Sequence, residues 1–307
     1  GAGGAGVHAA GEARPKPAEL KFTRTAEALQ LALGSQPLFR YQLTKPASGG
    51  SSTGSACYFH PLVTPGGTTV TEVGPADHRH HRGVFLGWVQ MESDADKGDF
   101  WGWGEPAPAA NRRIVNRKLE GASVVFGSAR FRALNEWQVE GRVLLTEDLR
   151  ITSGYEEGAT YLNVAVQLQA PREVRLARWG FGGFAVRTPR AGEVTPWGPG
   201  GVVRLAPPKH TDPASNWPAS PWHALHLKLA EGREATVMVT NRELNPPTTW
   251  HVVAGIGLLN PCITASGPVV IRPGNPLVLR YRVMAFDGAP RLEVLQRLGA
   301  APQEGAA

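Results

Sequence analysis

Apolar and polar residues alternate along much of this chain. In residues 161–169, Leu162, Val164, Val166 and Leu168 fall on one parity, and Asn163, Ala165, Gln167 and Gln169 on the other. A period of two gives a β-strand one apolar face. Leu277, Leu279, Tyr281 and Val283 repeat the pattern against Val278, Arg280 and Arg282, and Ala235, Val237 and Val239 repeat it in a shorter run. Residues 84–89 are apolar on both parities, which predicts a strand buried on both faces. Further strands are expected at 19–23, 28–33, 37–43, 68–73, 113–119, 122–134, 137–145 and 147–153. Only 290–298 carries a helical spacing, through Leu292, Leu295 and Leu298. The pattern as a whole predicts roughly 16 to 20 strands and one short C-terminal helix. Strands with one apolar face each pack as a large antiparallel sandwich, so the expected class is all-β.

Composition agrees with that class. The 307 residues include 37 Gly and 26 Pro, which suits many strands joined by turns. No composition shift or repeat divides the chain, so one domain is expected over 19–300. A disordered segment at 1–18 and a loose tail at 301–307 would flank it. The Gly/Ser-rich stretch 45–55 reads as a flexible insertion, and the Pro-rich stretch 207–221, with His210, Asp212, Asn216 and Trp217, as a lid or rim.

Net charge is +6, but the basic residues are scattered and do not alternate with aromatics, which argues against nucleic acid as partner. No apolar run approaches the roughly 20 residues that span a bilayer as a helix. The two cysteines, Cys57 and Cys262, permit one disulfide or two buried thiols. The small-residue start resembles a processed export signal, so a periplasmic or secreted protein is expected, with a cytoplasmic one as the alternative.

The candidate chemistry centres on Asp77-His78-Arg79-His80-His81-Arg82-Gly83. Polar groups packed this densely before an apolar strand are costly to bury unless paired. His78 and His80 would share one face of a strand, a spacing that suits a divalent metal, and His60 and His251 could complete such a site. The metal-free alternative uses a histidine as acid or base near neutral pH and Arg82 to hold a carboxylate, keto oxygen or hydroxyl pair. A plain surface cluster packed on the Trp-rich loop is the third reading. Trp101 and Trp103, set between glycines, would wall a flat ligand or plug a long loop. Trp250 beside His251 suits a sugar ring, and suits a core Trp equally. No Gly-x-Ser-x-Gly elbow is present. Glu72, Asp77, Asp99, Glu105, Glu147 and Asp148 give no distance from which to choose a glycosidase pair.

Several motifs occur in an informative order: Phe59-His60-Pro61-Leu62, the histidine block, Asp99-Phe100-Trp101, Gly182-Gly183-Phe184-Ala185-Val186-Arg187, Thr249-Trp250-His251-Val252, Asn260-Pro261 and Leu279-Arg280-Tyr281-Arg282. In this the chain resembles the bacterial family called PmoA-like or methane oxygenase PmoA. Its members resemble soluble β-sandwich proteins of the galactose-mutarotase kind and occur beside sugar-oxidising and polysaccharide-degrading proteins. Particulate methane monooxygenase is a membrane protein, so the resemblance implies carbohydrate association and not methane oxidation. The 47–55 insertion and a shortened segment before Trp222 depart from the family pattern and imply a changed rim.

The expected function is therefore an enzyme acting on a small saccharide or oxidised saccharide. His80 or His81 would move a proton with His251 as partner, and Arg82 and Arg187 would hold oxyanion charge. Trp101 and Trp250 would flank the ring, with His60, Asp77 and His78 completing the binding surface. No cofactor is required, although a divalent metal on His78 and His80 is compatible. A non-catalytic sugar-binding protein and a metal-dependent hydrolase or oxygenase are the alternatives.

Overall fold

The structure, a computed structural model, describes residues 17–190 and 192–300. The expectations for 1–16 and for the tail at 301–307 fall outside the described residues.

Among the described residues, twenty-two strands form two large antiparallel sheets and two small ones. The first large sheet has seven strands in the order Leu20–Arg24, Ala28–Leu33, Gln36–Gln42, Phe59–Leu62, Val84–Gly87, Gly183–Arg187 and Leu258–Leu259. The second has nine, and its centre is built by Glu234–Asn241, Leu277–Asp287, Ala159–Gln169 and Arg142–Glu156. Leu162, Val164, Val166 and Leu168 all point into the core between the sheets, as their alternation requires. Across the interface Phe184 stacks on Tyr281 with ring centres 4.3 Å apart, and Phe39, Tyr41 and Phe59 gather around Phe131. Two sheets sharing one apolar interior make a β-sandwich.

Each large sheet also covers part of its outer face. The helix Leu292–Ala300 lays Val294, Leu295 and Leu298 over Trp222, Met238, Met284 and Phe286 of the nine-stranded sheet. On the seven-stranded sheet, Phe85, Trp101, Phe181, Ala185 and Leu258 form a second apolar cluster. Strand Val84–Gly87 therefore buries Val84 and Leu86 inward and Phe85 outward, as its unbroken apolar run predicts. That outer cluster is the floor on which the candidate site is built.

Three tight hairpin ends join the long strands, and two of them differ from the sequence reading. Phe126-Gly127, Glu140-Gly141 and Glu157-Gly158 all take positive φ. Each pair closes a hairpin between Arg112–Val125, Ser128–Val139, Arg142–Glu156 and Ala159–Gln169. Two positive-φ residues match the right-handed twist of the flanking strands. The expected strands 122–134 and 137–145 run straight through two of these turns. The expected strand 68–73 is reduced to single bridges, Val63 with Thr69 and Val73 with Arg82. Cys57 and Cys262 are both free thiols, and Cys262 donates to the Trp179 carbonyl.

Candidate functional site

The histidine block is not a strand. Residues 75–82 run as successive turns, closed by His78 N–H to Pro75 O and His81 N–H to His78 O. The parity argument that set His80 and His81 on opposite faces therefore does not apply, and all three imidazoles collect on one side. His78 stacks on His81 at 4.7 Å and 13°, and His80 meets both rings edge-on.

Arg82 anchors this turn from below. It is buried, its Nη1 donates to the carbonyls of His80 and Trp101, and its Nη2 donates to those of Leu86 and Phe100. The expected oxyanion role is corrected: the guanidinium is committed to backbone oxygens and has no surface to offer a ligand. Gly83 follows at φ +66, and a Cβ there would lie 2.0 Å from the Phe59 carbonyl oxygen. Only glycine fits this approach.

The loop after it is folded by one carboxylate. Asp99 Oδ1 accepts the backbone N–H groups of Trp101 and Gly102 at 2.8 and 2.7 Å, and Oδ2 accepts that of Gly104 at 2.5 Å. Asp99 is thus a loop organiser. Glu147 is also accounted for, deep in the core between Asn135 and Trp137, where burial pushes its carboxyl up.

A cleft of about 200 Å³ opens above the outer apolar cluster. Its walls are Trp101, Trp103 and Phe181, with Val253, Ile256 and Leu258 below and Pro208 at the rim. Four imidazoles enter it, from His78, His81, His210 and His251. Trp103 bridges Phe181 at 5.1 Å and His210 at 5.5 Å, and Phe181 packs on His251 at 5.5 Å. No Asp or Glu lies among the lining residues.

The proton positions on two of these rings follow from their partners. Nδ1 of His81 lies 3.1 Å from Nη1 of Arg187. A guanidinium only donates, so Nδ1 accepts and the ring carries its hydrogen on Nε2. Nδ1 of His251 lies 2.8 Å from Oδ1 of Asn216. The Asn216 amide nitrogen donates to Gly180 O and Thr249 Oγ1, which fixes its oxygen toward the ring. His251 therefore donates from Nδ1 and keeps a lone pair on Nε2. Neither Nε2 has a protein partner among the described hydrogen bonds, and neither is a sealed buried atom. The cleft thus receives one fixed N–H and one fixed lone pair.

Arg187 is the pivot of the first arrangement. Wholly buried on the strand Gly183–Arg187, it grips both oxygens of Asp77, at 2.6 and 2.8 Å, while it donates to His81. Arg190 and Nδ1 of His78 also donate to Asp77. Arg187 above all holds the Asp77 carboxyl well below the usual carboxylate range. Arg187 and Asp77 therefore act behind the imidazoles and do not face a ligand, a correction to their expected binding roles.

Burial lowers the pKa of three of the rings, His251, His80 and His81. It pushes His251 down to about 4, with His210 adding to the effect, and His80 down to about 3. It drives His81 lower still, helped by His80, His78 and Arg187.

Three more expected residues stand elsewhere. Trp250 is buried in the sandwich core, its Nε1 donating to Ser220 O and its ring packed edge-on to His223. Alternation then turns the next residue, His251, outward into the cleft. His60 bonds Thr71 through Nδ1 and is absent from the lining. His80 lies beneath the lining, and its Nε2 is buried without a partner. Its ring packs near Trp103 and against the backbone at Gly102.

The metal pair His78 and His80 does not converge, because the rings meet edge-on at 5.6 Å and Nδ1 of His78 is tied to Asp77. Among the described residues no group of three or more His, Cys, Asp or Glu is arranged to hold a metal ion.

Phe181 joins the lining although its sequence surroundings marked no part for it, while Trp103 stands as one of the two expected alternatives, a wall, and His210 and Asn216 come from the expected rim. The Pro-rich stretch supplies Pro208 and His210 as rim and Asn216 as the support for His251.

Fold and site together define an antiparallel β-sandwich with an aromatic, imidazole-lined cleft on one outer face. Over residues 28–299 the chain matches the family described as a family of unknown function (DUF6807), and it belongs to that family. No methane-oxygenase identity comes with the match. No curated protein matches the chain.

Among solved structures it is similar to an α-galactosidase from Lactobacillus brevis, at 8% identity and TM-score 0.44, covering 90% of this chain and 40% of that one. It is similar to the GH36 α-galactosidase AgaB from Geobacillus stearothermophilus, at 10% and 0.43, covering 88% and 41%. A galactose mutarotase related enzyme from Lactobacillus acidophilus is matched at 7% and 0.36, covering 89% and 100%. The chain thus spans about 40% of the length of those α-galactosidases. At such scores the likenesses carry no argument about activity, and the sandwich stands on its own strand pairing. No described helix is long and apolar enough to cross a membrane.

Proposed function

We propose that this protein is an acid/base enzyme acting on a small saccharide or oxidised saccharide held in the cleft. The observation that supports it most is the lining itself: three aromatic walls and four imidazoles around about 200 Å³, with no carboxylate. Aromatic faces pack on the C–H groups of a sugar ring while imidazoles reach its oxygens. The volume is below the roughly 300–1,000 Å³ of drug-sized sites, which favours a single ring or short chain over a polymer segment.

His251 is the proton acceptor, because its lone pair on Nε2 is held toward the ligand by Asn216. His78 donates from Nδ1 to the Asp77 carboxylate, which leaves its Nε2 for the cleft. Paired carboxylates, the usual equipment of glycoside hydrolysis, have no counterpart in the lining, which favours proton transfer over glycosidic cleavage.

The test is a panel of aldoses, ketoses, aldonolactones and uronates followed by NMR with purified protein. His251→Ala is expected to lower turnover by about 100-fold or more, the share general base catalysis commonly supplies. Saturable binding with no product from any panel member would instead identify a sugar-binding protein, a reading the aromatic walls alone also support.

A further inference from the structure

We infer that His81 is an electrophile and not a proton carrier, and that the substrate presents a carbonyl oxygen to its Nε2–H. This rests on the saccharide reading above and narrows it to substrates with an acidic C–H beside a carbonyl: open-chain aldoses and ketoses, or oxidised sugars.

The geometry leaves His81 little else to do. A general acid must both lose a proton and regain one. His81 could release its Nε2 proton only as an imidazolate, because Nδ1 is occupied by the Arg187 N–H. Nor can it accept a second proton while that guanidinium stays in place. The charged or titratable groups that act on it most are Asp77, His78 and His80 from its own turn and Arg187 from the adjacent strand, and His210 and His251 line the same cleft. Asp77 is shared between Arg187, Arg190 and His78, so its charge does not reach His81 through a hydrogen bond. What remains is a neutral imidazole with a cation behind it and a polarised N–H in front. A fixed donor aimed where negative charge develops stabilises an enolate without rearrangement. Neutral histidine in this role is a known solution for carbonyl substrates.

The complementary group lines the same cleft. Nε2 of His251 takes the proton from the carbon beside the carbonyl. The C–H electron pair becomes the C=C bond, and the carbonyl π pair moves onto oxygen, where His81 donates to it. Return of that proton from His251 to the former carbonyl carbon on the same face, with the neighbouring hydroxyl proton passing to the enolate oxygen, gives the isomer. No oxidant, reductant or metal enters the balance.

Two measurements test this. First, nitrogen-15 NMR of the imidazoles in the intact protein at pH 7 is expected to show His81 protonated on Nε2 and His251 on Nδ1. His81 protonated on Nδ1, or titrating near its ordinary value of about 6.5, overturns the inference whatever the substrate. Second, turnover in D2O is expected to place deuterium on the carbon beside the carbonyl, and acetal-locked analogues are expected to exchange none. His81→Gln, which keeps an N–H near the Nε2 position, is expected to retain exchange within about tenfold, and His81→Phe to lose about 100- to 1,000-fold, as for loss of one oxyanion donor. Turnover without deuterium uptake, with His81→Phe as fast as the parent, rejects the inference and leaves the saccharide reading intact. If the parent neither binds nor converts any sugar, both are rejected.

Discussion

The side-chain oxygen of Asn216 lies 2.8 Å from Nδ1 of His251, and these residues come from different loops. That contact decides which nitrogen of His251 faces the cleft. Asn216→Asp places a carboxylate there, which favours the imidazolium. The pKa of His251 is then expected to rise from about 4, and the acid limb of the pH–rate profile to move up with it. Asn216→Ala is expected to lower kcat with little change in KM. An acid limb that stays in place in Asn216→Asp removes His251 from the mechanism.

Acid sensitivity follows from the neutral imidazoles. Burial lowers His60, His223 and His251 to about 4 and His80 to about 3. Below about 6.5 the unfolded chain takes up protons that the folded rings refuse, so stability falls as pH drops from 6.5 toward 4. Each ring contributes up to about 1.4 kcal/mol per pH unit. Asp77, shifted down in the folded state, adds its loss only below the ordinary carboxylate range. Urea midpoints should stay nearly level from pH 7.5 to about 6.5 and fall from there to pH 5, and His60→Asn with His223→Asn should flatten that fall. A pH-independent midpoint in the parent contradicts the account.

Arg82→Met should destabilise the protein by about 3–5 kcal/mol, because the four carbonyls now served by one guanidinium lose their donor. Arg82→Lys recovers only part, since an ammonium cannot reproduce the planar fork. Chemical denaturation measures both. A Met variant as stable as the parent means that water replaces the guanidinium.

Gly83→Ala should be as damaging by a different route. The new methyl would meet the Phe59 carbonyl at 2.0 Å in a backbone already at φ +66. The expected result is a loss of more than about 3 kcal/mol, or no soluble protein. Gly141→Ala is the control, with a positive φ but nothing within 4 Å, and should cost about 1 kcal/mol.

The sandwich was legible in the sequence because alternation is strict where one face is buried. Leu162 to Leu168 and Leu277 to Val283 stand in the structure as their parity requires. Two of the hairpin ends were not legible, because Phe126 and Glu140 take positive φ without the Asn or Asp that marks such turns. For the site, the histidine block and Thr249-Trp250-His251 were visible as polar groups beside apolar strands. Their geometry was not. Whether Arg82 faces a ligand or four carbonyls, and whether Trp250 or His251 turns outward, depends on contacts far away in sequence. Asn216 was visible only as one polar residue of the Pro-rich rim, because its role as support exists only once His251 is beside it.

The three tight hairpins make the long central strands a run of sequence-local pairings, whereas Asp77 meets Arg187 across 110 positions and Asn216 meets His251 across 35. Sequence-local pairings close quickly and distant ones slowly. The meander can therefore zip up early in folding, while the proton positions in the cleft are set only at the last stage of assembly. In unfolding, the order reverses: ligand binding would vanish while most amide hydrogens of the central strands still resist exchange.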